Sequence, residues 1–272
     1  QTLGMGQWLC GRRQVDMPVG MLTGKTGLVV GIANDKSIAA GCAKAFSAAG
    51  ASLAVTYLNE KAKPHVQPVA DDVGAEIVMP LNVEAEGEME AVFAAIEARW
   101  GKLDFLLHSI AFSPRDDLHG RVVDSSKEGF ARAMDVSVHS FVRMARLAEP
   151  LMKDGGSMLT VSYYGAEKVV DHYNMMGPAK SALESTMRYL SSELGPAGIR
   201  VNALSPGPIE TRAASGISHF DALMEQARTR SPERRLATIE DVGALAACLV
   251  SDFAKSVTGN VSYVDAGIHV MS

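Results

Sequence analysis

The sequence is poor in cysteine, has no long apolar run and has no surplus of positive charge. Its three cysteines, Cys10, Cys42 and Cys248, lie far apart in 272 residues. They are too few for a disulfide framework or a zinc cluster, and their odd number favours a reducing compartment, the cytoplasm by default. No apolar stretch reaches the roughly 18 residues of a membrane span. With 26 Lys and Arg against 31 Asp and Glu, no nucleic-acid partner is expected, because phosphate binding needs a basic face.

Metal-ligand spacing and a targeting segment are also missing. The seven histidines show no ligand spacing with cysteines or carboxylates, so no metal site is predicted. Residues 1–20 contain no apolar stretch of signal-peptide length, and the chain opens with Gln1. We expect residues 1–20 to be an extension outside the fold. Residues 21–272 should form one domain, since no repeat or linker divides them.

What is present is an alternation of short apolar runs with longer helical stretches. Continuous apolar runs are typical of strands that are buried on both faces of a parallel sheet. The runs lie at 27–31, 52–57, 76–80, 104–110, 157–162, 199–205 and 260–265, and the helical stretches include 37–49, 84–100, 127–152 and 173–194. This order predicts an α/β fold, a Rossmann-type doubly wound parallel sheet of about seven strands with helices on both faces. Ligands should bind at the carboxyl ends of the strands.

One long irregular segment interrupts this alternation, at about 206–231, before a helix that begins near Glu240. A segment of that length in a compact domain is usually a lid or a binding loop. Because it leaves the carboxyl end of a strand, we expect it to cover the substrate.

The first strand leads to a candidate nucleotide site. Gly31 follows the strand, Ser37 begins the next helix and Gly41 lies within it, so the helix N-terminus could receive a pyrophosphate. The full three-glycine fingerprint is absent, and Ser37 as a plain N-cap with Gly31 as a plain turn residue is an equally good interpretation.

The end of the second strand bears on the choice of dinucleotide. An arginine would receive the 2'-phosphate of NADPH there, but the chain has Leu58 and Asn59. NADH is therefore favoured over NADPH, although Lys61 and Lys63, slightly further on, leave NADPH open.

Two tyrosine–lysine pairs compete for the catalytic role. Tyr164 and Lys168 have the spacing of a carbonyl reductase, but they fall in a loop directly after a strand. Tyr173 and Lys180 fall at the start of the helix predicted over 173–194. A seven-residue step on a helix is about 700°, so both side chains would project from one face. The second pair is the better candidate because a helix would fix its geometry.

At this point the chain resembles a known family. The segment that begins at Lys180 and continues through 198–202 to 205–209 is similar to the short-chain dehydrogenase/reductase family. The ordinary tyrosine of that family would fall at Met176, and a tyrosine three residues earlier resembles its enoyl-acyl-carrier-protein reductase branch. Further similar motifs lie at 37–38, 108–112, 162–167, 173–177 and 213–217. The resemblance extends from Leu22 to Gly267.

The resemblance implies an activity and a set of site residues. The implied reaction is the NADH-dependent reduction of 2-enoyl thioesters on acyl carrier protein, with hydride transfer to C3. It is a step of bacterial fatty acid synthesis, and the implied enzyme is a homotetramer. Tyr173 would stabilise the enolate oxygen, Lys180 would hold the nicotinamide ribose, and Tyr163 would be a further active-site hydroxyl or simply half-buried packing. The residues expected to line the cofactor are Gly31, Ser37, Ile38, Leu58, Asn82, Val83, Ser109, Ile110, Ala111, Lys180, Ile209 and Thr211. Those expected to line the substrate are Ala111, Phe112, Tyr163, Met176 and Ile217.

Two departures from the family pattern and two rival functions stand beside this interpretation. Asn82 stands where an aspartate is usual, and the basic residues that often follow Ile217 are missing, which leaves Arg212, Arg228 or Arg230 for carrier docking, or weak docking. The rivals are a carbonyl reductase that uses the Tyr164 pair and a dinucleotide-binding regulator without catalysis.

Overall fold

Seven parallel strands form one sheet in the computed structural model, which describes residues 20–209 and 220–271, the side chains of 220–223 excepted. The strands are β1 (Thr26–Val30), β2 (Ser52–Tyr57), β3 (Ile77–Pro80), β4 (Phe105–His108), β5 (Gly156–Val161), β6 (Ile199–Pro206) and β7 (Val261–Val264). Their spatial order is β3-β2-β1-β4-β5-β6-β7. Every neighbouring pair is parallel. The strand order therefore reverses between β1 and β4, where a doubly wound sheet binds its ligand.

Helices cover both faces of this sheet. They are α1 (Ile38–Ala48), α2 (Lys63–Asp72), α3 (Glu88–Trp100), α4 (Arg115–His119), α5 (Lys127–Met134), α6 (Ser140–Ala148), α7 (Met176–Leu194), α8 (Phe220–Arg230) and α9 (Ile239–Val250). Alternate residues of β1 face opposite ways: Val29 packs in a cluster with α1 and α9, whereas Leu28 and Val30 pack in a cluster with α3, α6 and α7. The predicted fold class is confirmed.

The prediction of one continuous helix over 127–152 is wrong. A π-helical turn at Asp135–His139 separates α5 from α6, and a 3-10 turn at Glu149–Leu151 ends the segment. The π turn is anchored from outside the helix, since the Ser137 hydroxyl accepts from the Phe112 backbone N–H at 2.9 Å and donates to its carbonyl at 3.0 Å. Pro150 has no N–H for a continuing helix.

The predicted helix start at Tyr173 is also wrong. α7 begins at Met176, and the chain before it is a turn in which His172 and Asn174 have φ of 63° and 44°. Residues with positive φ cannot belong to a right-handed helix, so Tyr173 is held by the turn rather than by α7. The axial spacing expected for a Tyr173–Lys180 pair on one helix therefore does not apply.

The segment 206–231 is not wholly irregular, because α8 occupies its second half. Residues 210–219 lie outside the described residues, and the expectations for Thr211 and Ile217 fall there. The predicted extension over 1–20 also lies outside them, except for Gly20. In the part of the chain that the structure describes, no helix is long and apolar enough to cross a membrane.

Candidate active site

Gly31 and Ser109 lie against each other just beyond the carboxyl ends of β1 and β4, where the gap for a ligand begins. Gly31 follows β1 with φ of 105°, and a Cβ at this position would overlap the Ser109 carbonyl oxygen. The Ser109 N–H donates to the Val30 carbonyl at 2.9 Å, which extends the ladder to the edge of the site. The position therefore admits only glycine, as a close approach of two chains requires.

α1 begins a few residues after Gly31, and among the described residues no side chain accepts from the N–H groups of its first two residues. Ser37 is the N-cap, and its hydroxyl accepts from the Ala40 N–H at 3.3 Å and donates to the Asn34 carbonyl at 2.7 Å. The first turn carries no acidic residue, so the N–H groups of Ile38 and Ala39 remain for an anionic ligand. These residues fit a dinucleotide pyrophosphate that the backbone, rather than Ser37, would bind.

Gly41, the other glycine of the partial fingerprint, has a different explanation. A Cβ there would overlap the Ile239 carbonyl oxygen at the start of α9, and a Cβ at Gly243 would overlap the Gly41 carbonyl oxygen. Gly41 therefore allows α1 and α9 to pack closely.

The candidate dinucleotide groove runs along the carboxyl edge of the sheet, from the gap between β1 and β4 to the ends of β2 and β3. Leu58 follows β2 and is 55% exposed. The Tyr57 hydroxyl donates to Glu60 Oε1 at 3.1 Å, and Lys63 Nζ lies 3.9 Å from Glu60 Oε2. A carboxylate thus stands beside the lysine that could have bound a 2'-phosphate.

Beyond β3, Asn82 and Val83 are held by their neighbours. Asn82 Oδ1 accepts from the Glu84 N–H at 3.1 Å, and the carbonyl of buried Val83 accepts from Arg143 Nη1 at 2.9 Å. Asn82 therefore supplies the local turn that an aspartate could equally form, so this departure from the family pattern leaves the backbone intact.

Beyond β4, the chain from Ser109 to Phe112 forms the rim of the gap. Ser109 and Ile110 are partly buried and Ala111 is exposed. The Phe112 ring turns towards α5, where the Arg132 guanidinium carbon lies 4.6 Å from its centroid. This contact places Phe112 outside the cluster of Tyr163, Tyr173 and Met176. Its role as a substrate wall stays a prediction, with weaker support than that of Met176.

Tyr163 and Tyr173 form an edge-to-face pair next to the end of β5. Their ring centroids lie 4.8 Å apart at 61°, and Tyr173 is 8% exposed. Met176 packs in the same cluster. Burial raises the pKa of the Tyr173 phenol, and Tyr163 adds to the rise. Burial and the Asp265 carboxylate raise the pKa of Tyr163 to about 12, so both phenols keep their protons at neutral pH and can donate hydrogen bonds.

Lys180 lies in the first turns of α7 and is 5% exposed. Its Nζ donates to the Val161 carbonyl at the end of β5, 2.6 Å away. Burial lowers the pKa of Lys180 to about 8, and the Glu184 carboxylate one turn later opposes that change. The structure thus brings a buried ammonium to the strand end that precedes Tyr163.

A buried polar layer under this strand end was not predicted as part of the site. The ring of His108 is bonded on both sides, Nδ1 to Thr160 Oγ1 at 3.0 Å and Nε2 to Ser140 Oγ at 2.8 Å. The Ser162 hydroxyl donates to Glu184 Oε1 at 2.5 Å. Both contacts join residues that are distant in sequence, so a single sequence gives no signal for them beyond polar residues inside apolar runs.

The competing pair lacks this environment. Tyr164 begins a 3-10 turn and lies edge-on to Tyr263, with centroids 6.3 Å apart. Lys168 is exposed in the loop that follows. Tyr164 is only partly buried, whereas both Tyr173 and Lys180 are buried, and this difference weakens the carbonyl reductase alternative.

A cavity of about 380 Å³ opens beside Tyr163. Its walls come from the chain after β5, the chain after β6, α8 and the C-terminal segment, and they include Tyr163, Asp171, Gln226, Ala227, Arg230 and Asp265. Asp265 Oδ2 lies 2.8 Å from His269 Nδ1, and the His269 ring stacks on Tyr263 at 3.9 Å between centroids. The cavity is therefore lined by both charges and apolar groups, next to one of the site tyrosines.

Comparisons with known proteins agree with the geometry. The family profile described as Enoyl-(Acyl carrier protein) reductase matches residues 31–269. Enoyl-acyl-carrier-protein reductase (NADH) 1 of Rhizobium meliloti is 48% identical over 252 residues, 93% of each chain. The corresponding NADH enzyme of Aquifex aeolicus is 45% identical over 254 residues, 93% of this chain and 94% of its own length.

Solved structures give the same result. The reductase of Anaplasma phagocytophilum in complex with NAD is 46% identical with a TM-score of 0.89, over 93% of this chain and 97% of that one. The Bacillus cereus reductase with NADP+ and an indole naphthyridinone is 42% identical with a TM-score of 0.91, over 93% of this chain and 100% of that one. With the profile matched over most of its length, this chain belongs to the enoyl-acyl-carrier-protein reductase family.

Proposed function

We propose that this protein reduces the carbon–carbon double bond of 2-enoyl thioesters with NADH, as the last reductive step of a fatty acid elongation cycle. The observation that carries the proposal is the edge-to-face pair of Tyr163 and the buried Tyr173, together with the buried Lys180, whose Nζ bonds to the Val161 carbonyl two residues before Tyr163 at the carboxyl edge of the sheet. When bound, the dinucleotide would supply the hydride to C3 of the substrate. The residues of the chain would then bind, orient and stabilise charge.

Tyr173 would stabilise the charge that collects on the thioester oxygen. Hydride addition at C3 moves negative charge to the C1 oxygen, and a phenol with a raised pKa donates a hydrogen bond without losing its proton. The turn before α7 holds the Tyr173 ring against Tyr163 and limits its movement. Tyr163, on the cavity side, is available either to orient the substrate or to supply a proton.

Lys180 would hold the nicotinamide ribose and place a positive charge beside the reacting atoms. Among the described residues its Nζ has one hydrogen-bond partner, the Val161 carbonyl, and an ammonium has three donors. Two donors thus remain for ribose hydroxyls. With the pKa of Lys180 lowered to about 8, most of the lysine stays charged at neutral pH.

The remaining dinucleotide contacts follow from the groove. The N-terminus of α1 would bind the pyrophosphate, Gly31 and Ser109 would border it, and Leu58 with Val83 would flank the adenosine. Ile110, Ala111 and Ile209 would continue the wall on the nicotinamide side. The carboxylate of Glu60 supports NADH over NADPH, because it would repel a 2'-phosphate.

Three properties of the assembly stay predictions. The family name supports acyl carrier protein as the partner. We also expect a homotetramer in the cytoplasm, which light scattering of the purified protein and cell fractionation would test. A dimer or monomer by scattering would contradict the assembly without affecting the chemistry.

The proposed reaction is tested by following NADH oxidation with a 2-enoyl thioester and, in parallel, with a 3-ketoacyl thioester. We expect turnover of the enoyl substrate only. Tyr173→Phe should lower kcat by about 10²- to 10³-fold, as the loss of one oxyanion donor does, whereas Tyr164→Phe, the matched control, should retain wild-type kcat.

The other outcomes identify the alternatives. Turnover of the ketone that survives in Tyr173→Phe and is lost in Tyr164→Phe would assign the site to Tyr164 and Lys168. No turnover of either substrate, together with measurable NADH binding, would indicate a dinucleotide-binding regulator.

A further inference from the structure

Arg230 is a partly buried cation that lacks a partner. It is the last residue of α8 and lines the cavity that reaches Tyr163. Nearby arginines are paired: Arg228 Nη1 lies 3.8 Å from Glu225 Oε2, and Arg234 and Arg235 bond to a carbonyl and to carboxylates respectively. Among the described residues, Arg230 has no acceptor or ion-pair partner. Its guanidinium N–H donors are therefore available to an anionic ligand that enters the cavity.

The carboxylates that line the same cavity do not form an ion pair with Arg230. Asp265 is nearly buried, and its oxygens accept from the N–H groups of Gly267 and His269, both at 2.9 Å, as well as from the His269 ring. Asp171 is exposed and forms no ion pair within 4.0 Å with another residue that the structure describes. The positive charge of Arg230 therefore faces the cavity without local neutralisation.

We propose that Arg230 binds the phosphate on the carrier arm of the thioester substrate. This inference rests on the proposed function. Tyr163, beside which the thioester would react, and Arg230 line the same cavity, so an arm that leaves the thioester through this cavity would pass Arg230. A guanidinium binds a phosphate through parallel N–H donors, and this matches the chemistry of a phosphodiester better than that of a neutral amide. The site would thus select carrier-bound acyl groups over simple thioesters.

Three substrates that share one enoyl chain test the proposal: the acyl-carrier-protein thioester, the coenzyme A thioester and the N-acetylcysteamine thioester, which has no phosphate. Arg230→Gln should lower kcat/KM about tenfold for the first two, the size expected of one charge-assisted hydrogen bond. It should leave the third unchanged. Arg146→Gln, the matched control, removes the same charge from an exposed position in α6 that does not line the cavity, and it should leave all three unchanged.

Each other pattern overturns the proposal in a distinct way. A loss with the carrier-protein substrate alone would assign Arg230 to acidic side chains of the carrier protein. An equal loss with all three would assign it to the fold or to a contact with Asp171, and no loss would show that the charge is idle. If the wild-type protein reduces none of the three, the proposed function itself fails, and this inference fails with it.

Discussion

His108 is a buried histidine that should make the stability of the protein sensitive to acid. Burial, and then the charge of Lys180, lower the pKa of His108 to about 3, whereas an unfolded histidine titrates near 6.5. Below about pH 6.5 the unfolded chain gains a proton that the native ring does not. The free energy of unfolding should therefore fall by about 2 kcal/mol from this residue between pH 7 and pH 5.

The measurement is urea unfolding of the wild-type protein and of His108→Asn at both pH values. The variant should be less stable at pH 7, and the difference between the two proteins should shrink by about 2 kcal/mol at pH 5. His65→Asn, which changes an exposed histidine, is the matched control and should follow the wild-type protein. A constant difference for His108→Asn across the range would show that the native ring takes up the proton.

The residue scale also shows the limits of sequence reasoning. Tyr173 and Lys180 were identified through a motif that resembles a family, and the structure places both in buried positions at one edge of the sheet. His108 lies within one of the motifs that resemble the family, but nothing in its sequence neighbours predicts bonds to Thr160 and Ser140. Such partners depend on which strand and helix meet in three dimensions, and a single sequence does not give those pairings.

At the scale of elements, Gly165 in the turn after β5 makes room for the Tyr173 ring. A Cβ on Gly165 would lie 2.5 Å from Tyr173 Cδ1 and 3.3 Å from Tyr163 Cδ1. Gly165→Ala should therefore displace the phenol and lower kcat about 10- to 100-fold, because a misplacement of about 1 Å can cost that much. The fold should survive, since the turn lies at the edge of the sheet.

Kinetics with the enoyl substrate, together with a thermal melt, check this prediction. Gly195→Ala is the control, because a Cβ there meets nothing within 4 Å, and it should keep wild-type kcat. A Gly165→Ala protein with unchanged kcat would mean that the Tyr173 ring has space to move without loss of its function.

Elements were predicted well where local pattern decides and poorly where tertiary contact decides. The strand runs were placed to within one or two residues, because a strand buried on both faces must be apolar throughout. The break at Asp135–His139 was missed, since it depends on Ser137 bonding to the Phe112 backbone. The turn that holds Tyr173 was missed for the same reason: positive φ at His172 and Asn174 follows from packing, and neither residue is a glycine.

At the scale of the whole molecule, the balance of charge bears on the choice of dinucleotide. Relatives with this fold have been solved with NAD and with NADP+, so the fold alone does not decide. The formal net charge of −5 lowers the affinity for the more negative NADPH through long-range repulsion. Glu60 lowers it through local repulsion at the end of β2. The two effects differ in range, because salt screens charges beyond about 10 Å.

The thermal shift on cofactor binding separates these effects. At about 100 times its Kd, a ligand adds about 2.7 kcal/mol to the free energy of unfolding, so NADH should raise Tm by roughly 5 to 10 °C, and NADPH at the same concentration should raise it less. Glu60→Gln should increase the NADPH shift and leave the NADH shift unchanged. Glu193→Gln removes the same charge from an exposed position near the end of α7, at the opposite edge of the sheet, and should change neither shift. If both variants increased the NADPH shift equally, the net charge of the molecule would set the preference and Glu60 would have no local role.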